Sequence, residues 1–219
     1  MVLKIYGSSY STCAQRVALI CHEKKIPFEL FIVDMKTGEH KSATYLEKQP
    51  FGQIPYIDDD GFILFESRAI CRYLCAKYPD QGTSLVPKDP KALALVEQGV
   101  SIESSNFDFH VSSIVAERYF KPMRGLTTNE EFVSDRLAIL KTRLAGYEAI
   151  LGKQKYIAGD ELTLADLFHI PYGELLPKAG SDILVNESFP NVSRWWKDIT
   201  SRPTWKKVQA GLESVPSYD

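Results

Sequence analysis

Three short stretches of this 219-residue chain combine residue types that can do chemistry. Ser11-Thr12-Cys13 stand where an apolar run, Val2 to Tyr6, closes at Gly7-Ser8-Ser9 and a helical pattern begins. The free N–H groups and dipole of a helix N-terminus favour an anion there. A serine in that place also reads as a plain helix cap, the stronger reading when it is taken alone. Gly52-Gln53-Ile54-Pro55 puts a proline, which has no N–H to give to a ladder, just inside a predicted strand. Either it is an edge-strand proline, or a turn or cis peptide leaves the Ile54 N–H and C=O open to a peptide-like ligand that adds as a strand. Glu66-Ser67 opens a helix directly after a strand. Its hydroxyl and N–H groups suit a carboxylate and its own carboxylate suits an ammonium, which together fit a zwitterionic amino-acid group, although taken alone the pair is a common helix start and capping is the stronger reading.

Other reactive side chains point to weaker alternatives. Cys13, in a first helical turn, could carry a lowered pKa and form mixed disulfides. His22-Glu23 begins a zinc-helix motif, but position 26 is Ile rather than His, so the spacing fails. Cys71 and Cys75 lie one helical turn apart and Cys21 could join them, yet no cluster of His or Asp completes a ligand set; buried core thiols are expected, and no metal.

The elements that must hold these groups follow from periodicity. Val2–Tyr6 reads as a strand, residues 12–25 as a helix stopped by Pro27, and Phe28–Val33 as a second strand, which implies a right-handed parallel crossover. Strands at Ile54–Ile57 and Phe62–Phe65 are joined by Asp58-Asp59-Asp60-Gly61, an Asp-Gly hairpin signal. A helix over Glu66–Tyr78 presents Ala69, Ile70, Tyr73 and Leu74 on one face. The residues from Pro79 to Pro90 collect Pro, Gly, Thr, Ser and Lys and read as a linker. Beyond it strand signals nearly vanish, and helices are predicted over residues 91–119, 129–151, 163–176 and 189–199. Thr163 and Asp166 form a variant capping box, a folding element rather than a reactive site.

Composition sets outer limits. Lys and Arg number 26 against 28 acids, a net charge of −2, so no excess positive field attracts nucleic acid or anionic lipid. No run approaches the ~20 apolar residues of a membrane span, and no signal peptide is readable. Four cysteines in a chain of this length make no disulfide scaffold, so a soluble protein of the reducing cytoplasm is expected.

The order and spacing of the three stretches resemble the glutathione transferases. The matching residues are Ser11 to Arg16, Gly38-Glu39-His40-Lys41, Pro50 to Pro55 and Leu64 to Ile70. Ser-Thr followed by Arg, with the Gly-Glu-His-Lys and Gln-Pro-Phe-Gly-Gln runs, resembles the phi class of plants and fungi. Agreement continues through Ala158-Gly159-Asp160 and Thr163–Asp166, and only residues from about 101 to 129 carry no family signal.

The resemblance implies an α/β plus all-α protein: a thioredoxin-like βαβ-ββα domain over residues 1–80, a linker over 81–90 and a helical domain over 91–219. It implies conjugation of glutathione to hydrophobic electrophiles, with reduction of organic peroxides as an accompanying expectation. Ser11 would donate a hydrogen bond to the glutathione sulfur beside Thr12. Ile54, before Pro55, would pair through its backbone, with Gln53 near the middle of the tripeptide. Glu66 and Ser67 would hold the γ-glutamyl end, and His40 and Lys41 the glycyl carboxylate. Tyr10, Met35, Phe107, Tyr119 and Phe120 would wall the electrophile site. A homodimer is implied, with Arg68 and Arg72 as candidates for charged contacts across it or, alternatively, as a solvated helix face. Two rivals stay open: a redox transferase working through Cys13, and a binding module on the same fold. A pure scaffold, however, has no physical need for a thiolate-stabilising hydroxyl together with Pro55, Glu66 and Ser67.

Overall fold

A computed structural model describes residues 2–218, and the chain divides into two compact units. The first comprises the chain up to Ser84 together with the segment from Arg202 onward; the second runs from Leu85 to Ser201.

The first unit contains β1 (Leu3–Gly7), α1 (Thr12–Glu23), β2 (Phe28–Ile32), α2 (Ala43–Leu46), β3 (Tyr56–Asp59), β4 (Phe62–Phe65) and α3 (Ser67–Lys77). Its four strands lie in the order β2-β1-β3-β4, with β1 and β2 parallel and β3 and β4 antiparallel additions. This mixed sheet follows the βαβ-ββα pattern and is the thioredoxin-like arrangement that the resemblance implied. Leu3 and Ile5 alternate with less buried Lys4 and Tyr6, so one face of β1 enters the core, where α1 lays Val17, Ala18, Leu19 and Ile20. Asp59 pairs with Phe62, leaving a two-residue turn in which Asp60 (φ 57°) and Gly61 (φ 88°) both adopt positive φ. The Asp-Gly pair was legible for this reason, because two consecutive positive φ values match the strand twist.

β3 differs from expectation: it begins at Tyr56, so Ile54 and Pro55 precede it. Proline cannot donate to the ladder, and the Ile54–Pro55 peptide is cis. The sequence pattern also passes over two short helical pieces, the 3₁₀ turn Glu39–Lys41 and α2.

In the second unit a continuous helical path comprises α4 (Pro90–Ile102), α5 (Phe109–Val115) and α6 (Lys121–Met123), joined by π-helical stretches at Glu103–Asp108 and Ala116–Phe120. It packs against α7 (Glu130–Leu151), with α8 (Leu164–Leu167), α9 (Ile170–Gly173) and α10 (Pro190–Thr200) completing an all-helical unit. Asp166, fully buried, accepts from the N–H groups of Thr163 and Ile157 at 2.9 Å each and from Trp195 Nε1 at 3.0 Å, so the capping box also anchors α10. Among the described residues no helix is long and apolar enough to cross a membrane.

The last helix, α11 (Pro203–Ala210), packs on α1 in the first unit, which corrects the expectation that residues 91–219 form one helical domain. Glu23 is the reason. Its fully buried carboxylate receives Arg202 Nε at 2.6 Å and Nη2 at 2.8 Å, the Thr204 hydroxyl, and Thr83 Oγ1 at 2.6 Å. A buried carboxylate needs such donors, and three of these four bonds come from beyond residue 200. Thr83 and its N–H bond to Glu23 O also dock the start of the expected linker onto α1.

Candidate active site

Ser11 is the N-cap of α1, with extended backbone (φ −87°, ψ 116°), and its Oγ accepts from Ala14 N–H at 3.2 Å. Capping uses an oxygen lone pair and leaves the hydroxyl hydrogen over; no acceptor for it exists among the described residues. Thr12, one residue on, is buried. Gly7 sits so close to α1 and the 54–55 turn that a Cβ there would meet Ala14 Cβ at 3.1 Å and Pro55 Cβ at 3.4 Å. Pro55 is thereby brought to the first turn of α1.

The approach to Pro55 is held from behind. Tyr45 in α2 donates its hydroxyl to Gln53 O at 2.8 Å, and the buried Gln49 accepts the Gln53 N–H at 3.1 Å. Ile54 packs its side chain on Val33, Tyr45 and Tyr56, while its backbone N–H and C=O take no partner among the described residues. The chain therefore presents one open donor and one open acceptor beside the cis proline. Tyr45 and Gln49 were missed by sequence reasoning; a tyrosine and a glutamine flanking a turn give no pattern until the turn is folded.

Gly52 (φ 58°) brings this segment onto the Glu39–Lys41 turn, where a Cβ would lie 2.7 Å from both His40 O and Lys41 Nζ. Only glycine fits, by conformation and by space. Lys41 Nζ donates to Phe51 O at 3.0 Å, and His40 Nδ1 is buried without a hydrogen-bond partner among the described residues. The close approach of Gly52 thus places its neighbour Gln53 near the turn that carries His40 and Lys41.

Glu66 precedes α3 at φ 70°, ψ 104°, a conformation that costs a non-glycine residue about 1–3 kcal/mol. It is exposed, and its carboxylate has no cation partner among the described residues. Ser67 is buried and accepts Arg16 Nη1 at 2.9 Å. Arg16, itself fully buried on α1, also reaches Cys13 Sγ at 3.7 Å and so ties the starts of α1 and α3 together. The available signal for Arg16 was a charged residue within the stripe of Cys13, Val17 and Ile20 on an otherwise apolar helix face.

Of the expected electrophile wall, Tyr10 is 85% and Met35 41% exposed in the first unit. Tyr119 and Phe120 are half-buried on the second π-helical stretch, edge to face at 5.2 Å. Phe107 requires correction: it is fully buried, 4.7 Å from the His169 ring and 6.3 Å from that of Tyr147, and belongs to the core of the helical unit. Cys21 and Cys71 are fully buried, and burial pushes both thiols up, so they remain protonated core groups. Among the described residues no group of three or more His, Cys, Asp or Glu is placed to hold a metal ion.

Comparison with known families matches residues 10–77 to the glutathione S-transferase N-terminal domain and residues 108–203 to the glutathione S-transferase C-terminal domain. The chain belongs to the glutathione S-transferase family. Among its relatives is glutathione S-transferase PM239X14 of Arabidopsis thaliana, 47% identical over 200 residues and 90% of each chain. The crystal structure of glutathione transferase F7 from Populus trichocarpa superposes with a TM-score of 0.91 at 41% identity, covering 95% of this chain and 98% of that one. Glutathione S-transferase I from maize, solved in complex with an atrazine glutathione conjugate, is 34% identical with a TM-score of 0.87, over 96% of this chain and 97% of that one. This transferase is of the phi-class type and takes glutathione as its thiol substrate for conjugation to electrophiles.

Proposed function

We propose that this transferase activates glutathione through the Ser11 hydroxyl and conjugates the resulting thiolate to hydrophobic electrophiles. The observation that carries this reading is the division of labour at Ser11: its oxygen accepts from Ala14, and its hydrogen is left for a ligand. A free thiol with pKa of about 8.5 is only a few per cent ionised at neutral pH. Lowering that value by about two units takes roughly 2.7 kcal/mol of preferential thiolate stabilisation. A charge-assisted hydrogen bond aimed from the positive end of α1 supplies a contribution of that order. No general base is needed once the proton has left.

The tripeptide is held along the line of open groups. Ile54 pairs with its backbone beside Pro55, and Thr12 and Gln53 flank it. Glu66 receives the γ-glutamyl ammonium and the α3 N-terminus at Ser67 the adjoining carboxylate, while His40 and Lys41 take the glycyl carboxylate. Glu66 is strained and has no cation partner among the described residues, which leaves its carboxylate to a cationic ligand group. Tyr10 and Met35 offer apolar surface to the electrophile, and Tyr119 with Phe120 is the corresponding offer of the helical unit. The working form is a cytoplasmic homodimer, with Arg68 and Arg72 on α3 as candidates for charged contacts across it. Reduction of organic peroxides uses the same thiolate and belongs to this reading as a secondary activity.

The test is Ser11→Ala, read by the ultraviolet absorbance of bound glutathione thiolate and by conjugation of an aryl halide. Loss of both is expected. Activity that survives in this variant and disappears in Cys13→Ser would replace the reading with thiol–disulfide chemistry at Cys13.

A further inference from the structure

The segment after α11 touches the N-terminal part of the same unit at four places. Leu212 O accepts from Ser9 Oγ at 3.3 Å. Ser214 Oγ accepts the Leu30 N–H at 2.9 Å. Val215 exchanges a pair of backbone hydrogen bonds with Phe28, at 2.9 and 2.8 Å, as an antiparallel bridge on the outer edge of β2. Tyr218 OH then meets His22 Nδ1 at 2.8 Å.

These contacts bracket α1. Ser9 lies two residues before Ser11, and His22 is in the last turn of the same helix. The tail covers an edge strand that would otherwise expose unpaired N–H and C=O groups, but edge protection requires only the contacts with Leu30 and Phe28. The contact with Ser9 does something else. Ser9 is held at two of its three polar groups, its hydroxyl by the tail and its C=O by Gln15 Nε2 at 2.9 Å, and Ser11 N–H closes the turn on Ser8 O at 3.0 Å. Leu212 is itself buried, so the tail oxygen that receives Ser9 is a fixed point.

We propose that the C-terminal tail, through the bond from Ser9 Oγ to Leu212 O, is a positioning element for the reaction: it sets the Ser8–Ser11 loop so that the Ser11 hydroxyl is aimed at the glutathione sulfur. This rests on the reading of Ser11 as the thiolate donor. Ser9 is a positioning residue; it acts on the sulfur only through the loop. A thiolate-stabilising bond loses strength steeply as its donor swings out of line, whereas the distant carboxylate and ammonium contacts of the tripeptide are indifferent to that angle. The signature is therefore a change in kcat and in the pKa of the bound thiol, with little change in glutathione KM.

The experiment compares the intact protein with Ser9→Ala, Ser9→Thr and a chain ending at Gly211, using glutathione and an aryl halide. Each is read by thermal unfolding, by kcat and KM, and by thiolate absorbance against pH. For Ser9→Ala a rise in the bound-thiol pKa and a fall in kcat of about fivefold at neutral pH, the size of one ordinary hydrogen bond, are expected with glutathione KM changed less than about twofold. Ser9→Thr, which keeps a hydroxyl, should restore both, and the shortened chain should match or exceed Ser9→Ala. An unchanged thiol pKa in Ser9→Ala overturns the proposal even if the shortened chain does not fold. A Ser11→Ala protein that still ionises bound glutathione overturns this proposal and the Ser11 reading together; a Ser11→Ala protein that does not, beside an unaffected Ser9→Ala, overturns this proposal alone.

Discussion

Ser11 Oγ accepts the Ala14 backbone N–H at 3.2 Å, which makes one hydroxyl both the cap of α1 and, by its remaining hydrogen, a donor. The two roles separate by substitution. Ser11→Asp keeps a good capping oxygen but offers no hydrogen and places a negative charge beside the sulfur. Its folding stability should stay within about 0.5 kcal/mol of the parent, whereas Ser11→Ala should lose about 1 kcal/mol by urea unfolding. Both should lose thiolate absorbance, and conjugation should fall by at least about tenfold in each. A Ser11→Asp protein that still ionises glutathione would show that the dipole of α1 suffices.

The bond from Arg16 to Ser67 joins the start of α1 to the start of α3 through the protein interior, and so links the proposed thiol and amino-acid ends of the site. Ser67→Ala removes one acceptor from a buried guanidinium, and a loss of about 1.5–3 kcal/mol in urea unfolding is expected. Glutathione KM should rise in the same variant, because Ser67 stands at the start of α3. An unchanged KM would remove Ser67 from the binding surface and leave it a structural partner of Arg16.

Acid sensitivity should be traceable to Glu23. Burial by itself would raise its pKa, but hydrogen bonds from Arg202, Thr204 and Thr83, with the Arg202 charge, outweigh it and hold the carboxyl below the usual range. A carboxylate with a lowered folded pKa contributes stability that is present above its unfolded value of about 4.3 and is lost as pH falls through the folded value. Glu23→Gln should cost about 2–3 kcal/mol at neutral pH, less than for a fully buried pair because Arg202 reaches solvent, and should flatten the decline in urea midpoint below about pH 4.3.

A second pH effect belongs to His22. Burial, then the Lys207 charge, push its imidazole down to about 4, with Glu23 acting in the opposite sense. Tyr218 OH faces its Nδ1, and the Phe28 ring lies edge to face with it. A depressed histidine contributes stability that is complete above its unfolded value of about 6.5 and is lost as pH falls toward about 4. Hydrogen-exchange protection of the Val215 amide, normalised for intrinsic rates, should therefore drop between about pH 7 and pH 5, and His22→Gln should abolish that dependence. A pH-independent protection factor in the parent protein would count against it.

What could be read from the chain was whatever a few neighbouring residues decide. The Asp60-Gly61 turn, the Thr163–Asp166 capping box and the position of Ser11 at a helix start are closed by hydrogen bonds or dihedral preferences spanning two to four residues, so composition and spacing carry them. The order of strands and helices was legible because alternation and helical periodicity are local as well.

The tertiary structure decided which of these local signals meet. Arg16 reaches Ser67 across 51 residues of sequence and Glu23 reaches Arg202 across 179; no periodicity encodes such pairings. Ile54 keeps its backbone open because Tyr45, Gln49 and Pro55 shape the turn around it, and Phe107 is core because Tyr147 and His169 close over a helix whose sequence has apolar residues to offer on more than one side. The C-terminal segment joined the first unit because a buried carboxylate on α1 required donors, and the folded chain, rather than its neighbours in sequence, supplied them.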